Sequence, residues 1–524
     1  MHTLVSLSHT SNEWLSLFHV YDINPNELDR DDAGFETQVY NNSVCKTPNI
    51  NALAKRSLIF KNAFTSVSSC SPSRSAILTG LPQHQNGMFG LYNTVNHFTS
   101  FDGVKSLPLL LKKSGIRTGI IGKKNVGPEN VYPFDFSETE ENHSLLQVGR
   151  NITLIRQYVH KFLNQNKSSP FFLYIGFHDP HRGYHTHPQY GIFCEKFGNG
   201  EPGMGVIPDW KPVTYDPSEV EVPYFVQDTP VARRDLAAQY TTISRLDQGI
   251  GVVLKELKAS GHLDDTLVIY TSDNGIPYPN GRTNLYDSGM AEPMLVSSPF
   301  HKTTWGQETD AMVSLTDIVP TVLDWFNIKY PSYNLNKQQV TLTGKSMLKL
   351  LDTKPNTNWD TVYASHNLHE ATMYYPMRVI RTREYKLIEN LNYLMPFAID
   401  QDFFISPCFQ DLLNRTHDHQ PTNWYKTLHK YYYRDRWELY DLVHDPKELT
   451  NLAGDPNYNK IYTSLQSKLK IWQNVTNDPW ICSPGGVLQN SGYYKYNPTC
   501  FSMYNVCELV YNEVMNLWKK VTTE

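Results

Sequence analysis

The chain has 524 residues, 40 % hydrophobic and 19 % charged, with a formal net charge of −5 at pH 7. That length favours two or three domains with a substantial core, and the composition is that of a globular protein rather than a disordered tail. The acidic balance excludes a global basic field for nucleic acid or an anionic membrane, and no apolar run approaches the ~20 residues of a membrane span.

The opening segment, "MHTLVSLSHTSNEWLSLFHVYDINPNELDRDD", has no basic n-region, and polar residues interrupt its apolar stretch, so it is a poor signal peptide. Asp31 and Asp32 look like a polar strand end. The residues before them, "DINPNELDR", carry a proline and four charges, and the apolar run "WLSLFHVY" sits about ten residues too early. The strand expected there is missing or replaced. Next, "KTPNINALAKRS" opens a helix with Thr47 as N-cap and Pro48 at its first position.

The strand "SLIFKNAF" leads into "SSCSPSRSAILTG", residues 68–80. Cys70 stands among small hydroxyl residues, with neither apolar neighbours for packing nor a second Cys or His at zinc-ligand spacing. "SAILTG" reads as a short helix stopped by Gly80. The thiol is thereby placed in the loop at a helix N-terminus, where N–H groups and the dipole favour an anion.

Further on, "GIRTGIIGKKN" is a strand ending in Lys123, Lys124 and Asn125, and "PFFLYIGFHDPH" one ending in His178, Asp179 and His181. "YTTISRLDQGIGVVLKELKASG" puts Ile243, Leu246, Ile250, Val253, Leu254 and Leu257 on one helical face. "DDTLVIYTSDNG" is a strand whose apolar run stops at Asp273 and Asn274. Continuous apolar strands alternating with amphipathic helices predict an α/β domain: a large, mostly parallel (mixed) sheet sandwiched by helices, with ligands at the carboxyl ends of the strands. From about residue 375, "MRVIRTREYKLIEN" and "RWELYDLVHDPKEL" read as antiparallel strands, followed by a helix at "KIYTSLQSKLKIWQ". The expected division is an atypical segment 1–30, a catalytic domain 31–374 and a smaller α+β domain 375–524. The basic-aromatic run "KTLHKYYYRDRW" reads as part of a strand pair, since no net basic field supports nucleic-acid binding. Of seven cysteines, Cys482 has Cys500 and Cys507 as candidate partners, and the odd count leaves at least one thiol unpaired or modified. Sequons at Asn41, Asn142, Asn151, Asn166, Asn414 and Asn474 argue only weakly for secretion in a chain this rich in asparagine.

Assembled, the polar clusters carry a resemblance. "CSPSR" fits the C-x-P-S-R signature of the sulfatases and is followed by "LTG"; "DDAGFE", "GKKNVG", "FHDPH" and "SDNG" stand in that family's order. The chain resembles the family from about residue 31 to 485, and "GLPQHQNGM", "DLAAQYTT", "TLVIYTSDNGIPYP" and "HKYYYRDRWELYD" resemble the branch that hydrolyses the N-linked sulfate of terminal N-sulfoglucosamine in heparan sulfate. The resemblance implies an alkaline-phosphatase-like sulfatase fold and oxidation of Cys70 to formylglycine by a separate formylglycine-generating enzyme. It implies one Ca²⁺ per chain, held by residue 70 and the hard oxygen donors Asp31, Asp32, Asp273 and Asn274. It assigns Arg74 and Lys123 to catalysis, Arg282 to substrate binding, and His181 to protonating the leaving nitrogen. It also implies a heparan-sulfate-derived oligosaccharide as substrate, a lysosomal location reached through the secretory pathway, and a homodimer.

Two positions depart from the pattern. Asn125 stands where the family has a histidine, and Gly183 where the branch has a cysteine to pair with Cys194. Asparagine hydrogen-bonds but has no useful pKa, so a sulfated-sugar-binding protein with impaired turnover is one alternative. The cluster His178, His181, His185 and His187 raises zinc, and with it a metal-dependent phosphohydrolase of the related fold; the H-x-x-H pair lies at a strand exit rather than on a helix. Cys70, in place of the Ser or Thr nucleophile of those enzymes, disfavours it.

Overall fold

The computed structural model describes residues 36–92, 95–142, 147–165, 169–181, 194–335, 337–352 and 359–503, and the backbone of residues 2–8. Its large sheet is built from β1 (His2–Ser8), β2 (Leu58–Phe64), β3 (Arg117–Gly122), β4 (Phe136–Thr139), β5 (Phe171–Gly176), β6 (Thr266–Ser272), β7 (Ala291–Ser297) and β8 (Glu308–Ser314), in the order β4-β3-β5-β1-β6-β7-β2-β8. β3 is parallel to β4 and β5, and β2 to β8, whereas β1 is antiparallel to β5 and β6, and β7 to β6 and β2. Six strands therefore run in one direction and only β1 and β7 run against it. The carboxyl ends of β2, β3, β5 and β6 consequently meet at one edge.

The strands are apolar on both faces because both faces are covered. Side chains alternate along a strand: Phe172, Tyr174, Leu267 and Ile269 enter one core, and Phe171, Leu173, Ile175, Val268 and Tyr270 the other. Helices α1 (Pro48–Ala54), α2 (Cys70–Thr79), α3 (Leu107–Lys113), α4 (Ile152–Asn164), α5 (Pro230–Ala259) and α6 (Ile318–Trp325) form the outer layers. Ile50, Ile155, Val159, Leu246 and Ile250 of α1, α4 and α5 pack on the second face, and Ile77, Leu78, Leu107, Leu111, Val319 and Val322 of α2, α3 and α6 on the first. Helix α5 starts thirteen residues before its apolar stripe begins at Ile243, because Thr229 caps the Ala232 N–H and Pro230 takes the first position.

The central slot that the residues before Asp31 leave open is occupied by β1, running in reverse, with His2 opposite Ser272 and Thr3 opposite Gly176. Asp31, Asp32 and "WLSLFHVY" lie outside the described residues.

A second sheet, wholly antiparallel, comprises β9 (Thr361–His366), β10 (Met377–Thr382), β11 (Tyr385–Asn390) and β12 (Trp437–Asp441) in that order. It is joined by α7 (Pro407–His417), α8 (Leu428–Tyr432) and α9 (Asn459–Val475). "KTLHKYYYRDRW" is not a strand pair. Thr427 accepts the Lys430 N–H and starts α8, Tyr431 is buried beside Phe409 and Leu412 of α7, and extended structure begins only at Trp437. Cys482 pairs with Cys500 at a Cα–Cα distance of 5.5 Å, while Cys45, Cys70, Cys194 and Cys408 are all buried. Cys507 lies outside the described residues. Among the described residues no helix is long and apolar enough to cross a membrane.

One buried ion pair fastens the second sheet to the chain beyond α9. Arg378 of β10 donates from Nε to Asp478 Oδ2 at 2.6 Å and from Nη2 to Oδ1 at 2.8 Å, with both side chains at 0 % exposure. Removing the carboxylate leaves a buried, uncompensated guanidinium. Asp478→Ala is expected to cost about 3–5 kcal/mol in unfolding free energy, read from denaturant titration; a loss under about 1 kcal/mol would contradict a fully desolvated pair.

Candidate active site

Cys70 is the first residue of α2, not part of the loop before it, and is 2 % exposed against Leu91. One turn on, Arg74 is fully buried. Its Nε donates to Asp273 Oδ2 at 2.9 Å and its Nη1 to the Lys123 carbonyl at 2.8 Å. The helix carrying the thiol is thus tied to the carboxyl ends of β6 and β3. Burial alone would pull the Arg74 guanidinium down, but Tyr174, Asp273 and Cys70 around it hold it above its ordinary value. Burial would likewise raise the Asp273 carboxyl, and Arg74 overrides this to keep it below the usual carboxylate range. Burial lowers the Lys123 ammonium, against the opposing effect of Cys70.

Next to Asp273, Asn274 donates from Nδ2 to the Gly275 carbonyl at 3.0 Å, while its Oδ1 is buried with no hydrogen-bond partner among the described residues. A carboxylate and an orphaned amide oxygen at one strand end are hard donors that fit a divalent cation such as Ca²⁺. Among the described residues no group of three or more His, Cys, Asp or Glu could hold a metal; the other two predicted donors, Asp31 and Asp32, fall outside them.

On the β5 side, the His181 N–H donates to the His178 carbonyl at 3.0 Å, and the two rings meet edge to face at 5.0 Å. His178 Nδ1 lies 2.8 Å from Glu140 Oε1, and Arg282 Nη1 lies 2.9 Å from His181 Nε2. Because a guanidinium can only donate, that His181 nitrogen is the acceptor. Each ring therefore engages a protein partner; His185 and His187 lie outside the described residues. Arg282 is placed by a tight turn in which its N–H reaches the Ile276 carbonyl at 2.8 Å. The Thr283 N–H donates to the Ser68 carbonyl at 2.9 Å, which stitches the turn to the segment before Cys70. Asn125 is buried at φ 51°, in the left-handed region that asparagine tolerates, and its N–H donates to Glu141 Oε1 at 2.7 Å.

Two contributors come from the second sheet's neighbourhood. Asp400 accepts from Arg282 Nη2 at 3.0 Å and from Nε at 3.4 Å, and it is 2 % exposed. His369 Nδ1 lies 2.8 Å from Ser69 Oγ. Asp400 sits in "FAIDQDFF" and His369 in "SHNLHEAT", on connections with no periodic pattern and no strand end to flag them.

The carboxyl edge of the sheet thus gathers a buried thiol at a helix N-terminus, three cationic side chains and hard oxygen donors, a setting suited to an anionic ligand. Comparison with known proteins sharpens this. The sulfatase family model matches residues 30–328, and the model of the N-sulphoglucosamine sulphohydrolase C-terminal region matches 281–399 and 410–475. The human N-sulphoglucosamine sulphohydrolase is 61 % identical over 476 residues, covering 91 % of this chain and 94 % of that protein. An ulvan-active sulfatase of Formosa agariphila is 27 % identical, covering 84 % of this chain and 77 % of that protein. Among solved structures, a 2-O GAG sulfatase superposes with a TM-score of 0.59 at 21 % identity, covering 86 % of this chain and 91 % of that one. A protein in complex with its substrate D-glucosamine-2-N,6-O-disulfate superposes with a TM-score of 0.58 at 20 % identity, covering 86 % and 96 %. The chain belongs to the sulfatase family.

Two outcomes follow from the geometry. Asp400→Asn leaves the buried Arg282 without its counter-charge and is expected to lower kcat/KM for sulfate release by about 10–100-fold; wild-type kinetics would contradict the clamp on Arg282. Burial holds the His178 imidazole down at about 4, against the pull of Glu140, so folding favours its neutral form. The stabilisation is complete above the unfolded value of about 6.5 and is lost as pH falls toward 4. The stability deficit of His178→Gln relative to wild type should therefore shrink between pH 6.5 and 4, measured by thermal melting across that window; a constant deficit would contradict a buried neutral ring.

Proposed function

We propose that the chain is a sulfohydrolase that cleaves the S–N bond of terminal N-sulfoglucosamine in heparan-sulfate-derived oligosaccharides, within lysosomal glycosaminoglycan degradation. The observation that carries the reaction class is the first turn of α2: Cys70 in its C-x-P-S-R segment, buried within electrostatic range of Arg74, Lys123 and Arg282. The choice of an N-linked sulfate is supported by the identity to the human N-sulphoglucosamine sulphohydrolase along nine-tenths of the chain.

In this reading residue 70, once converted to formylglycine, would supply a hydrated aldehyde as nucleophile, and residue 70, Asp31, Asp32, Asp273 and Asn274 would hold one Ca²⁺, which would supply charge neutralisation. The chain's own residues do the rest. Lys123 and Arg282 hold sulfate oxygens with charge-assisted hydrogen bonds. Arg74 keeps Asp273 ionised and fixed. His181 delivers a proton to the departing nitrogen, since an amine cannot leave as an anion near neutral pH. Its Nε2 accepts from Arg282 here, so substrate must take over the guanidinium before that nitrogen carries the proton. Sulfate release from N-sulfoglucosamine by the secreted protein, with a Cys70→Ala protein as control, tests the reading. Release by the wild type alone is expected, and equal rates would overturn it.

A second reading, tight binding with slow turnover, is favoured by Asn125. Its buried amide cannot take the proton that the family's histidine takes when sulfate departs. On that reading Asn125→His raises kcat by about 10²–10⁴ with little change in KM; an unchanged kcat would rule it out.

A further inference from the structure

We propose that His369 is a positioning residue for residue 70, the anchor of a clamp that holds the residues on either side of it. The inference rests on the proposed function for its kinetic readout and on geometry for its substance.

Ser69 occupies the N-cap of α2 with extended backbone (φ −164°, ψ 138°), yet its side chain makes no capping hydrogen bond. An N-cap hydroxyl ordinarily accepts from the N–H two or three residues on. Here the third helical residue is Pro72, which has no N–H to offer. The Ser69 hydroxyl turns instead to His369 Nδ1 at 2.8 Å. The arrangement leaves the Cys70 and Ser71 N–H groups at the helix N-terminus uncovered by Ser69, on the side where an anion is favoured.

The other neighbour of Cys70 is held by the same device. The His369 carbonyl accepts the Leu91 N–H at 2.8 Å, and the next residue, Tyr92, donates its N–H to Ser71 Oγ at 2.9 Å. The circuit Ser69–His369–Leu91–Tyr92–Ser71 thus closes around residue 70, while the Leu91 side chain packs on the thiol itself. His369 is 4 % exposed. Burial, with Arg282 and Lys123 nearby and only Asp400 opposing, holds its pKa at about 3, so the ring works as a neutral hydrogen-bonding group and adds no charge to the site. It reaches Ser69 from the connection after β9, so the clamp ties the second sheet's neighbourhood to the nucleophile segment.

The test compares His369→Ala, Ser69→Ala, their double variant and His369→Asn in the full-length secreted protein. Each single alanine variant is expected to lose about 10–100-fold in kcat with KM little changed. The double variant should lose no more than either single, because both remove one contact. His369→Asn, whose amide reaches where Nδ1 sits, should recover most of kcat, which a merely structural loss would not allow. Thermal melting and the aldehyde content of residue 70 by peptide mass spectrometry should match wild type. Labelling of residue 70 with an aminooxy probe, which needs no turnover, should speed up equally in both singles and no further in the double. Wild-type protein that releases no sulfate sinks the proposed function while the labelling still decides the clamp. Multiplicative losses, an asparagine variant no better than alanine, or unchanged labelling would overturn the clamp itself.

Discussion

Everything at the carboxyl edge of the large sheet depends on one buried ion pair, Arg74 with Asp273, at 2.9 Å with both side chains fully shielded from water. Two charges removed from solvent cost several kcal/mol each, and their attraction returns this only when the geometry is good and the remaining donors are used. Arg74 meets the condition by donating to the Lys123 carbonyl as well. The pair's value is therefore positional. It locks the first turn of α2 to the ends of β3 and β6, keeps Asp273 an anion in a buried setting, and brings a third cation toward Cys70. A lysine would supply the charge without the planar fork that reaches two strand ends at once.

The large sheet alone does not complete the site. Arg282 would be an unneutralised buried cation without Asp400, and Asp400 is itself fixed by accepting the Phe403 N–H at 2.7 Å as the cap of a one-turn helix. Further along the same seam, Asp287 of the large-sheet region meets Arg381 and Lys386 of the second sheet at 2.9 and 2.6 Å, and Arg434 donates to Asn284 Oδ1 at 2.6 Å. At Asp287 and Asp400 charge is neutralised across the seam, so the two halves are positioned by electrostatics as well as by packing. Arg282 consequently owes its orientation to a segment distant in sequence.

How much was legible in the sequence follows from where the signals are local. β5 and β6 carry unbroken apolar runs with polar ends and β3 a shorter one, while β2 is interrupted at Lys61 and Asn62, and the cluster of Cys70, Lys123, His181 and Asp273 was visible just beyond these strands. Helix α2 was visible through Gly80, which adopts the left-handed conformation that stops it. Asp400 and His369 were not visible, because each acts through a contact made only in three dimensions, with Arg282 and Ser69 respectively. The clamp had a faint local trace: an N-cap serine followed at the third helical position by a proline is a cap with no N–H there to bind. "KTLHKYYYRDRW" misled because its aromatics suit a strand locally, whereas Tyr431 is claimed by α7 packing. The reversed β1 was illegible for a different reason. A strand's direction is set by its neighbours, and "HTLVSLS" pairs equally well either way by its own pattern.

The central claim is that the thiol at the head of α2 is a precursor and not the working group. Peptide mass spectrometry of the residue 68–80 segment from the secreted, folded protein tests this most directly. The account predicts the mass of an aldehyde, or its hydrate, in place of the cysteine; an unmodified Cys70 thiol in protein that hydrolyses N-sulfoglucosamine would contradict it.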